Sequence, residues 1–344
     1  MGFAMGNEEE KIMAGIIFKC ERIFQDAAQV YDHLSMNVTD EDMISFWAGI
    51  ARDKKQNAET FRSWAESGML PTVFDNPEEI LGELQTILKK IHDLIEKTRT
   101  RMDIPMSFLV AFKLEFYLLH PSFENLLQYF NVLGDEIIIP DKEHAHISLL
   151  FEKLHHHGLA TMELELIGET IRRLWDDNRR MSVQTNFDTL TRTFNRRGMF
   201  NMMKTLGHVA QRNQTTVGIM MIDLDHFKKV NDTFGHLYGD KVLRLVSATI
   251  KLNIRAADVL GRFGGEEFIV FLSSVNPDFL HMIGEKIRKA VMDIKEVDAP
   301  VTISIGISHD RIESDIEKEI EILIRRADEN LYRAKRNGRN RVVV

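Results

Sequence analysis

The sequence predicts two folded domains of different class, an all-α helical bundle over 1–160 and an α/β domain over 187–344, joined by a helix at 161–186. Through the first half, apolar residues recur every three or four positions, which is the period of an amphipathic helix. From Thr215 onward, short apolar runs alternate with helical segments, as in sheet domains that carry helices. The length of 344 residues also exceeds that of one ordinary domain.

The composition, with 44% apolar and 28% charged residues, is that of a soluble, folded protein, and the features that follow lead us to expect a cytoplasmic one. The net charge of −8 argues against a nucleic-acid partner, since such proteins usually carry a basic face. Cys20 is the one cysteine, which excludes an intrachain disulfide and fits a reducing compartment. No apolar run approaches the roughly 18–20 residues that a membrane span needs. The acidic start differs from a signal peptide. We therefore expect no membrane partner.

Breaks in the helical pattern divide the first half into four or five long helices. They fall at 68–71, 76–77, 104–105 and 134–140. In the second half, apolar runs predict strands at 216–222, 259–263, 268–272, 301–307 and 341–344. The second and third of these flank Gly264-Gly265 and read as a β-hairpin. Helices are expected at about 233–252, 277–293 and 317–336.

The connecting helix carries an apolar seam with steps of three and four. Its members are Leu164, Ile167, Ile171, Leu174, Asn178 and Met181. Three heptads with an asparagine on the seam are typical of a short parallel coiled coil, in which the asparagine sets the register. The alternative is a helix that packs on its own domain. Its position between two domains favours the coiled coil, and hence a homodimer.

Carboxylates follow both the hairpin turn and a buried strand. Glu266 and Glu267 come directly after Gly264-Gly265, whereas Asp223 and Asp225 follow the apolar strand at 216–222. The hairpin pair taken alone is compatible with an ordinary polar turn. Carboxylates from two places near one sheet edge, however, form a hard oxygen site of the kind that suits Mg²⁺.

Several separated motifs, in order, resemble the GGDEF family in its Gly-Gly-Glu-Glu-Phe form. They are Asp188-Thr-Leu-Thr-Arg-Thr-Phe-Asn195-Arg-Arg, the segment 221–240, Gly264 to Phe268, and Ala327 to Asn340. Arg192 stands where a glycine is common. The resemblance implies a mostly antiparallel sheet similar to the palm of polymerases and nucleotide cyclases. It also implies a diguanylate cyclase, in which an antiparallel pair of catalytic domains condenses two GTP into cyclic di-GMP and releases two pyrophosphates.

The resemblance also implies roles for individual residues. Two Mg²⁺ (or Mn²⁺) ions would bind Asp223, Glu266, Glu267 and the carbonyl of Leu224, with Glu266 as the candidate base. Asn231 and Asp240 would read guanine. The phosphate clamp would consist of Lys335 and Arg339, with the backbone amides of Phe227 and Lys228. Product would bind and inhibit at Arg255 and Asp258, helped by Arg262. The alternative function is a catalytically silent module that binds GTP or cyclic di-GMP; retention of the motif carboxylates favours the enzyme.

The helical bundle resembles ferritin-like di-iron proteins, which order their ligands as Glu, Glu-x-x-His, Glu, Glu-x-x-His. The corresponding residues are Glu21, Asp53, Gln56, Glu115, Glu143 and His146. Asp53 and Gln56 stand where that family has glutamate and histidine. A bundle that binds iron would sense oxygen or redox state, and a metal-free bundle with a hydrogen-bonded polar core would respond to a small ligand or a protein. In either case we expect it to regulate the cyclase.

Overall fold

The computed structural model describes residues 8–67, 74, 76–133, 142–297 and 300–344. The chain divides into two compact units at Ser182 and Val183. The first is helical, and the second is a sheet with helices. Among the described residues, no helix combines the length and apolar character needed to cross a membrane.

The helical class predicted for the first half is confirmed. Its helices are α1 (Glu8–Asn37), α2 (Glu41–Ser67), α3 (Pro77–Thr98), α4 (Ile104–Leu118), α5 (Pro121–Leu133), α6 (Lys142–His156) and α7 (Met162–Asn186). Proline in the first turn marks the start of α3 and α4, where its missing N–H has no intrahelical partner to lose. Aromatic pairs between helices build the core: Phe24 stacks on Phe61 with ring centroids 5.5 Å apart, and Tyr31 on Trp47 at 5.8 Å.

A fully buried ion pair lies in this core. The Lys54 ammonium on α2 is 3.0 Å from Glu115 Oε1 on α4, and both side chains are 0% exposed. The Tyr31 hydroxyl donates to the same carboxylate at 2.5 Å. The charge of Glu115 is therefore balanced by a cation that the chain itself supplies.

The other candidate iron ligands are held in separate pairs. Glu21 accepts from Arg62 Nη2 at 2.7 Å, and Asp53 Oδ2 lies 2.9 Å from His146 Nε2. Gln56 is exposed, and the side chain of Glu143 lies outside the described residues. The expectation of a di-iron centre is therefore not supported by the described residues: Glu115 already holds the Lys54 ammonium, and both side chains are fully buried, so the lysine has no access to solvent that would let a metal replace it.

Replacing Lys54 by methionine is expected to lower the free energy of unfolding of the first unit by about 3–5 kcal/mol, because it leaves the buried Glu115 charge without its cation. Denaturation followed by tryptophan fluorescence measures this on the full chain, since Trp47, Trp64 and Trp175 all lie in that unit.

Lys55→Met is the matched control, because Lys55 pairs with Asp32 at the surface and such pairs contribute at most about 1 kcal/mol. Adding Glu115→Gln to Lys54→Met should recover much of the loss. Equal losses in the Lys54 and Lys55 variants would contradict the structural importance of the buried pair.

The seam predicted on the connecting helix is divided between two faces of α7. Leu164 and Ile171 are buried against the first unit, and Asn178 Nδ2 donates to the Leu119 carbonyl at 2.6 Å. The remaining members point to solvent: they are Ile167, Leu174 and Met181, at intervals of seven residues. Packing on its own domain, the alternative, therefore accounts for half of the seam, and the coiled coil stays a prediction for the other half.

The second unit contains a five-stranded sheet in the order β2-β3-β1-β4-β5. Its elements are α8 (Arg196–Asn213), β1 (Thr216–Leu224), α9 (Phe227–Phe234), α10 (His236–Asn253), β2 (Val259–Gly264), β3 (Glu267–Leu272), α11 (Leu280–Met292), β4 (Ile303–Arg311), α12 (Ile316–Arg336) and β5 (Val342–Val343). Only the β4–β5 pair is parallel. The mostly antiparallel sheet is confirmed, whereas α8 and α9 were not predicted. Gly235, with φ +84°, separates α9 from α10.

The middle strand β1 is buried almost throughout, which explains its unbroken apolar run. One sheet face packs against α10 and α11 through residues such as Ile222, Val246 and Ile287. Helix α12 lies so close to β4 that a Cβ on Gly306 would be 2.0 Å from the Leu331 amide nitrogen. The ends of β1, β3 and α12 are thereby held together at one sheet edge.

Candidate active site

The end of β1 brings the predicted metal ligands together. In the register of the sheet, Asp223 on β1 lies opposite Glu267 on β3 and opposite Ser304 on β4. The hairpin between β2 and β3 turns at Gly265, whose φ of +21° falls in a region that L side chains rarely adopt. Glu266 occupies the same turn and precedes β3 directly. Three carboxylates are thus placed at one sheet edge by the strand register and one tight turn.

The electrostatics of this edge favour a cation. Burial raises the pKa of Asp223 above its usual range; the nearby Lys335 charge opposes this rise, whereas Glu266 and Glu267 add to it. The Lys335 ammonium lies 2.8 Å from Asp223 Oδ2. Like charges held this close are relieved by a bound ion, and carboxylate oxygens are the ligands that Mg²⁺ prefers. The residues at this edge therefore fit a Mg²⁺ site.

Asp225 does not belong to that set, although the sequence suggested both carboxylates. It is 7% exposed, and its oxygens accept from Thr302 Oγ1 at 2.8 Å, Ser304 Oγ at 2.7 Å and the Asn340 amide at 3.0 Å. With its acceptor positions used inside the fold, Asp225 is a structural group and not a metal ligand.

An open pocket beside the hairpin collects the predicted guanine-reading residues. Its lining consists of Phe227, Lys228, Asn231, Asp232, His236, Asp240, Leu243, Arg262, Gly265 and Glu266. The Asn231 Oδ1 atom is buried and accepts no hydrogen bond from the part of the chain that the structure describes. Burying an acceptor without a donor costs free energy, so we expect a bound ligand to donate to this atom. The guanine edge offers such N–H donors.

Gly239 makes room for that asparagine. A Cβ added at residue 239 would lie 1.9 Å from Asn231 Oδ1. Such a contact is a steric clash, so the Asn231 side-chain amide would have to move. The pocket therefore depends on a glycine in the first turn of α10.

Of the predicted phosphate-binding groups, the structure places Lys335 against Asp223 and puts Phe227 and Lys228 in the pocket that Glu266 also lines. Lys335 is in the last turn of α12, and Arg339 is exposed in the turn that follows it. Phe227 and Lys228 begin α9. The first amides of a helix have no intrahelical acceptor and commonly bind anions.

Arg262 lies on β2 beside the hairpin turn, and its role at the inhibitory site stays a prediction. Its Nη1 donates to both carboxylate oxygens of Asp188 at 3.2 Å, and its Nε and Nη2 donate to the Gly265 carbonyl at 2.9 and 2.7 Å. Burial acts to raise the pKa of Asp188, but hydrogen bonds from Thr191 and the Arg262 charge outweigh it, so the pKa lies below its usual range. Asp188 thus holds the hairpin turn through Arg262, a role that the sequence motif did not reveal.

Arg255 and Asp258 form a closed turn before β2. The Arg255 amide donates to Asp258 Oδ2 at 3.0 Å, and the Asp258 amide donates to the Arg255 carbonyl at 3.0 Å. The Arg255 side chain is exposed. Burial raises the pKa of Asp258 above its usual range, although the Arg255 amide and charge lower it in part. The turn therefore carries an exposed guanidinium, and its charge acts on the partly buried Asp258 carboxylate.

Comparisons with known proteins identify the family. Residues 185–341 match the family described as "Diguanylate cyclase, GGDEF domain". Diguanylate cyclase DosC of Escherichia coli K12 is 30% identical over 365 residues, which cover 97% of this chain and 74% of DosC. Response regulator PleD of Caulobacter vibrioides is 41% identical over 162 residues, covering 45% of this chain and 35% of PleD.

Among solved structures, the coiled coil and GGDEF domain of DgcB from Caulobacter crescentus, in complex with cyclic di-GMP, is 27% identical. It covers 54% of this chain and 99% of that chain, with a TM-score of 0.47. The family match spans the hairpin, the strand-end carboxylates and the α12 turn, and the similarity to DosC extends over nearly the whole chain. The chain belongs to the family of GGDEF-domain diguanylate cyclases, enzymes that convert GTP to cyclic di-GMP.

Proposed function

We propose that the chain condenses two GTP into cyclic di-GMP, with release of two pyrophosphates, by a metal-assisted reaction between two copies of its catalytic domain. One observation carries this most directly: Asp223, Glu266 and Glu267 lie together beside a pocket in which the buried Asn231 Oδ1 lacks a donor. A cation-binding edge and a base-reading pocket adjoin through Glu266, as phosphoryl transfer to a nucleotide hydroxyl requires.

In this proposal Asp223, Glu266, Glu267 and the carbonyl of Leu224 hold two Mg²⁺ (or Mn²⁺) ions. When bound, these ions polarise the α-phosphate, lower the pKa of the attacking 3′-hydroxyl and neutralise the leaving pyrophosphate. Glu266 is placed to accept the hydroxyl proton, because it faces both the pocket and the metal edge.

The remaining groups bind and orient the nucleotide. Asn231 and Asp240 accept from the guanine edge, whose N1–H and N2–H₂ donors adenine lacks. Lys335 and Arg339 bind the β- and γ-phosphates, together with the first amides of α9. Lys335 exchanges Asp223 for phosphate when the nucleotide binds, because its side chain is 31% exposed and its ammonium can be reached from solvent.

Each domain supplies one GTP and one attacking hydroxyl, so two domains must face each other antiparallel. A homodimer through α7 brings them together, with Ile167, Leu174 and Met181 as the apolar contact. These side chains are solvent-exposed in the single chain and recur at heptad intervals. When two half-sites are held together, the two bound GTP molecules no longer have to meet by diffusion of separate domains and are already oriented for reaction.

Regulation is proposed at two places. The Arg255–Asp258 turn offers a guanidinium and a carboxylate to cyclic di-GMP as an inhibitory product site, exposed on the Arg255 side. Because burial raises the pKa of Asp258, product inhibition should weaken on acidification, when that carboxylate takes up a proton. The helical bundle regulates the pairing of catalytic domains through α7.

Assaying cyclic di-GMP formation from GTP and Mg²⁺ at increasing chain concentration tests the proposal. Specific activity is expected to rise with concentration, and chelation of Mg²⁺ should abolish it. Leu174→Asp should lower activity at least about tenfold by charging the dimer contact, whereas Met36→Asp on α1, also exposed, should not. A fully active monomer with concentration-independent turnover would overturn the dimer requirement.

A further inference from the structure

The turn after α12 has an unusual backbone. Arg339 and Asn340 both have positive φ, +60° and +44°, directly after Gly338 at +108°. Non-glycine residues rarely adopt this region, and two in succession are held there only when the surroundings fix them. Arg339 is one of the residues assigned above to the phosphates.

Two charged side chains from distant parts of the fold hold Asn340. The buried Asp225 carboxylate accepts from the Asn340 backbone amide at 3.0 Å, and is itself fixed by Thr302 and Ser304 on the β4 side. This is a charge-assisted hydrogen bond in a site from which water is largely excluded, where such bonds are strong.

The second holder is Arg288 on α11. Its Nη1 donates to Asn340 Oδ1 at 2.7 Å. Its Nε and Nη2 each donate to a different carboxylate oxygen of Glu285 at 2.9 Å. The bidentate ion pair with Glu285 thus fixes the orientation of the guanidinium, and its remaining nitrogen, Nη1, contacts the turn.

We infer that Asp225 and Arg288 are positioning residues for the phosphate groups of GTP: by fixing Asn340 they hold the left-handed turn that presents Arg339, next to Lys335, at the metal edge. The inference rests on the proposed phosphate role of Lys335 and Arg339. A long arginine side chain loses less freedom on binding an anion when its backbone is already fixed, so pre-ordering the turn raises affinity.

The loss of affinity in variants of Asp225 and Arg288 should depend on the number of phosphates in the nucleotide and not on its base. GDP and GMP serve as probes, because neither carries the pyrophosphate leaving group and neither is turned over. In calorimetry on the full chain, Arg288→Met is expected to raise the Kd of GDP about tenfold and to leave the Kd of GMP within about twofold. Asp225→Asn, which keeps the shape but loses the charge, should act in the same direction.

Lys289→Met is the matched control, since it removes one positive charge from the next position of α11, where Lys289 is exposed. It should change neither affinity. Asn340→Gly removes the side chain that Arg288 holds and frees the backbone at this position, so by itself it should weaken GDP about as much as Arg288→Met does. In the Arg288→Met background it should add less than about a further threefold, because both changes act through one contact, whereas two independent defects would add in full.

Arg339→Met separates the two levels of the argument. If it fails to weaken GDP relative to GMP, the proposed phosphate role of Arg339 is wrong. If it does weaken GDP selectively while Arg288→Met and Asp225→Asn do not, the phosphate role stands and the positioning inference falls. Equal weakening of GDP and GMP by Arg288→Met would likewise overturn the inference.

Discussion

Replacing Asp223 by asparagine is expected to lower the cyclase activity of the full chain at least about a thousand-fold, roughly 4 kcal/mol of transition-state stabilisation. The amide removes the charge from the strand-end position that β1 places opposite Glu267. Turnover of GTP with saturating Mg²⁺ measures the loss. Asp232→Asn, at an exposed position that also lines the pocket, is the control and should retain most activity.

The same variant should not be less stable. Burial and the neighbouring glutamates raise the pKa of Asp223 in the folded chain. A carboxyl with a raised pKa contributes stability at low pH that is lost as the pH rises through the folded value. At neutral pH without metal, the ionised form is thus the unfavourable one, and asparagine avoids it. Thermal melting without Mg²⁺ should show a midpoint equal to or above that of the wild type; a lower midpoint would mean that the activity loss reflects misfolding.

Gly239→Ala is expected to weaken GTP binding at least about 100-fold. The added Cβ would lie 1.9 Å from Asn231 Oδ1. The Asn231 side-chain amide must therefore leave the position from which it is proposed to read guanine. When a binding site is built to hydrogen-bond its ligand, displacing one of its polar groups leaves polar atoms unpaired and lowers the affinity strongly. Calorimetric titration with GDP, whose base is the same and which is not turned over, measures the effect directly.

Although Gly239→Ala should weaken binding, helix propensity alone predicts that it stabilises the fold, because alanine within a helix is favoured over glycine by about 1 kcal/mol. Gly82→Ala on α3 isolates this effect, since a Cβ there meets nothing within 4 Å. It should leave GDP binding unchanged. If Gly239→Ala bound GDP as tightly as the wild type, Asn231 would not be the guanine reader.

The chemistry of the cyclase domain could be predicted from sequence because its motifs are local. Gly264 to Phe268 specify a tight hairpin and its carboxylates within five positions, and the apolar run of β1 fixes where Asp223 emerges. The hairpin, the strands and the helical class of the first half follow from periods of two and of three to four residues. These signals depend on near neighbours, so no tertiary information was needed.

Other roles depend on partners far along the chain. Asp223 and Asp225 look equivalent in sequence, yet only the tertiary structure buries Asp225 under Thr302 and Ser304. Similarly, Arg262 pairs with Asp188, which lies 74 positions away, and no local pattern shows that contact.

By itself, the sequence determined the two-domain order, the helical and sheet classes, and the family, and it predicted the metal-binding carboxylates and the guanine-reading positions. Only the tertiary structure decided that Lys54 occupies the centre of the bundle on Glu115, that α7 buries half of its seam, and that Asp225 and Arg288 hold the turn of Arg339. The physical reason is the same in each case. A helix or strand pattern states which side chains share a face, whereas the charge or hydrogen bond that each one meets depends on which distant element packs against that face.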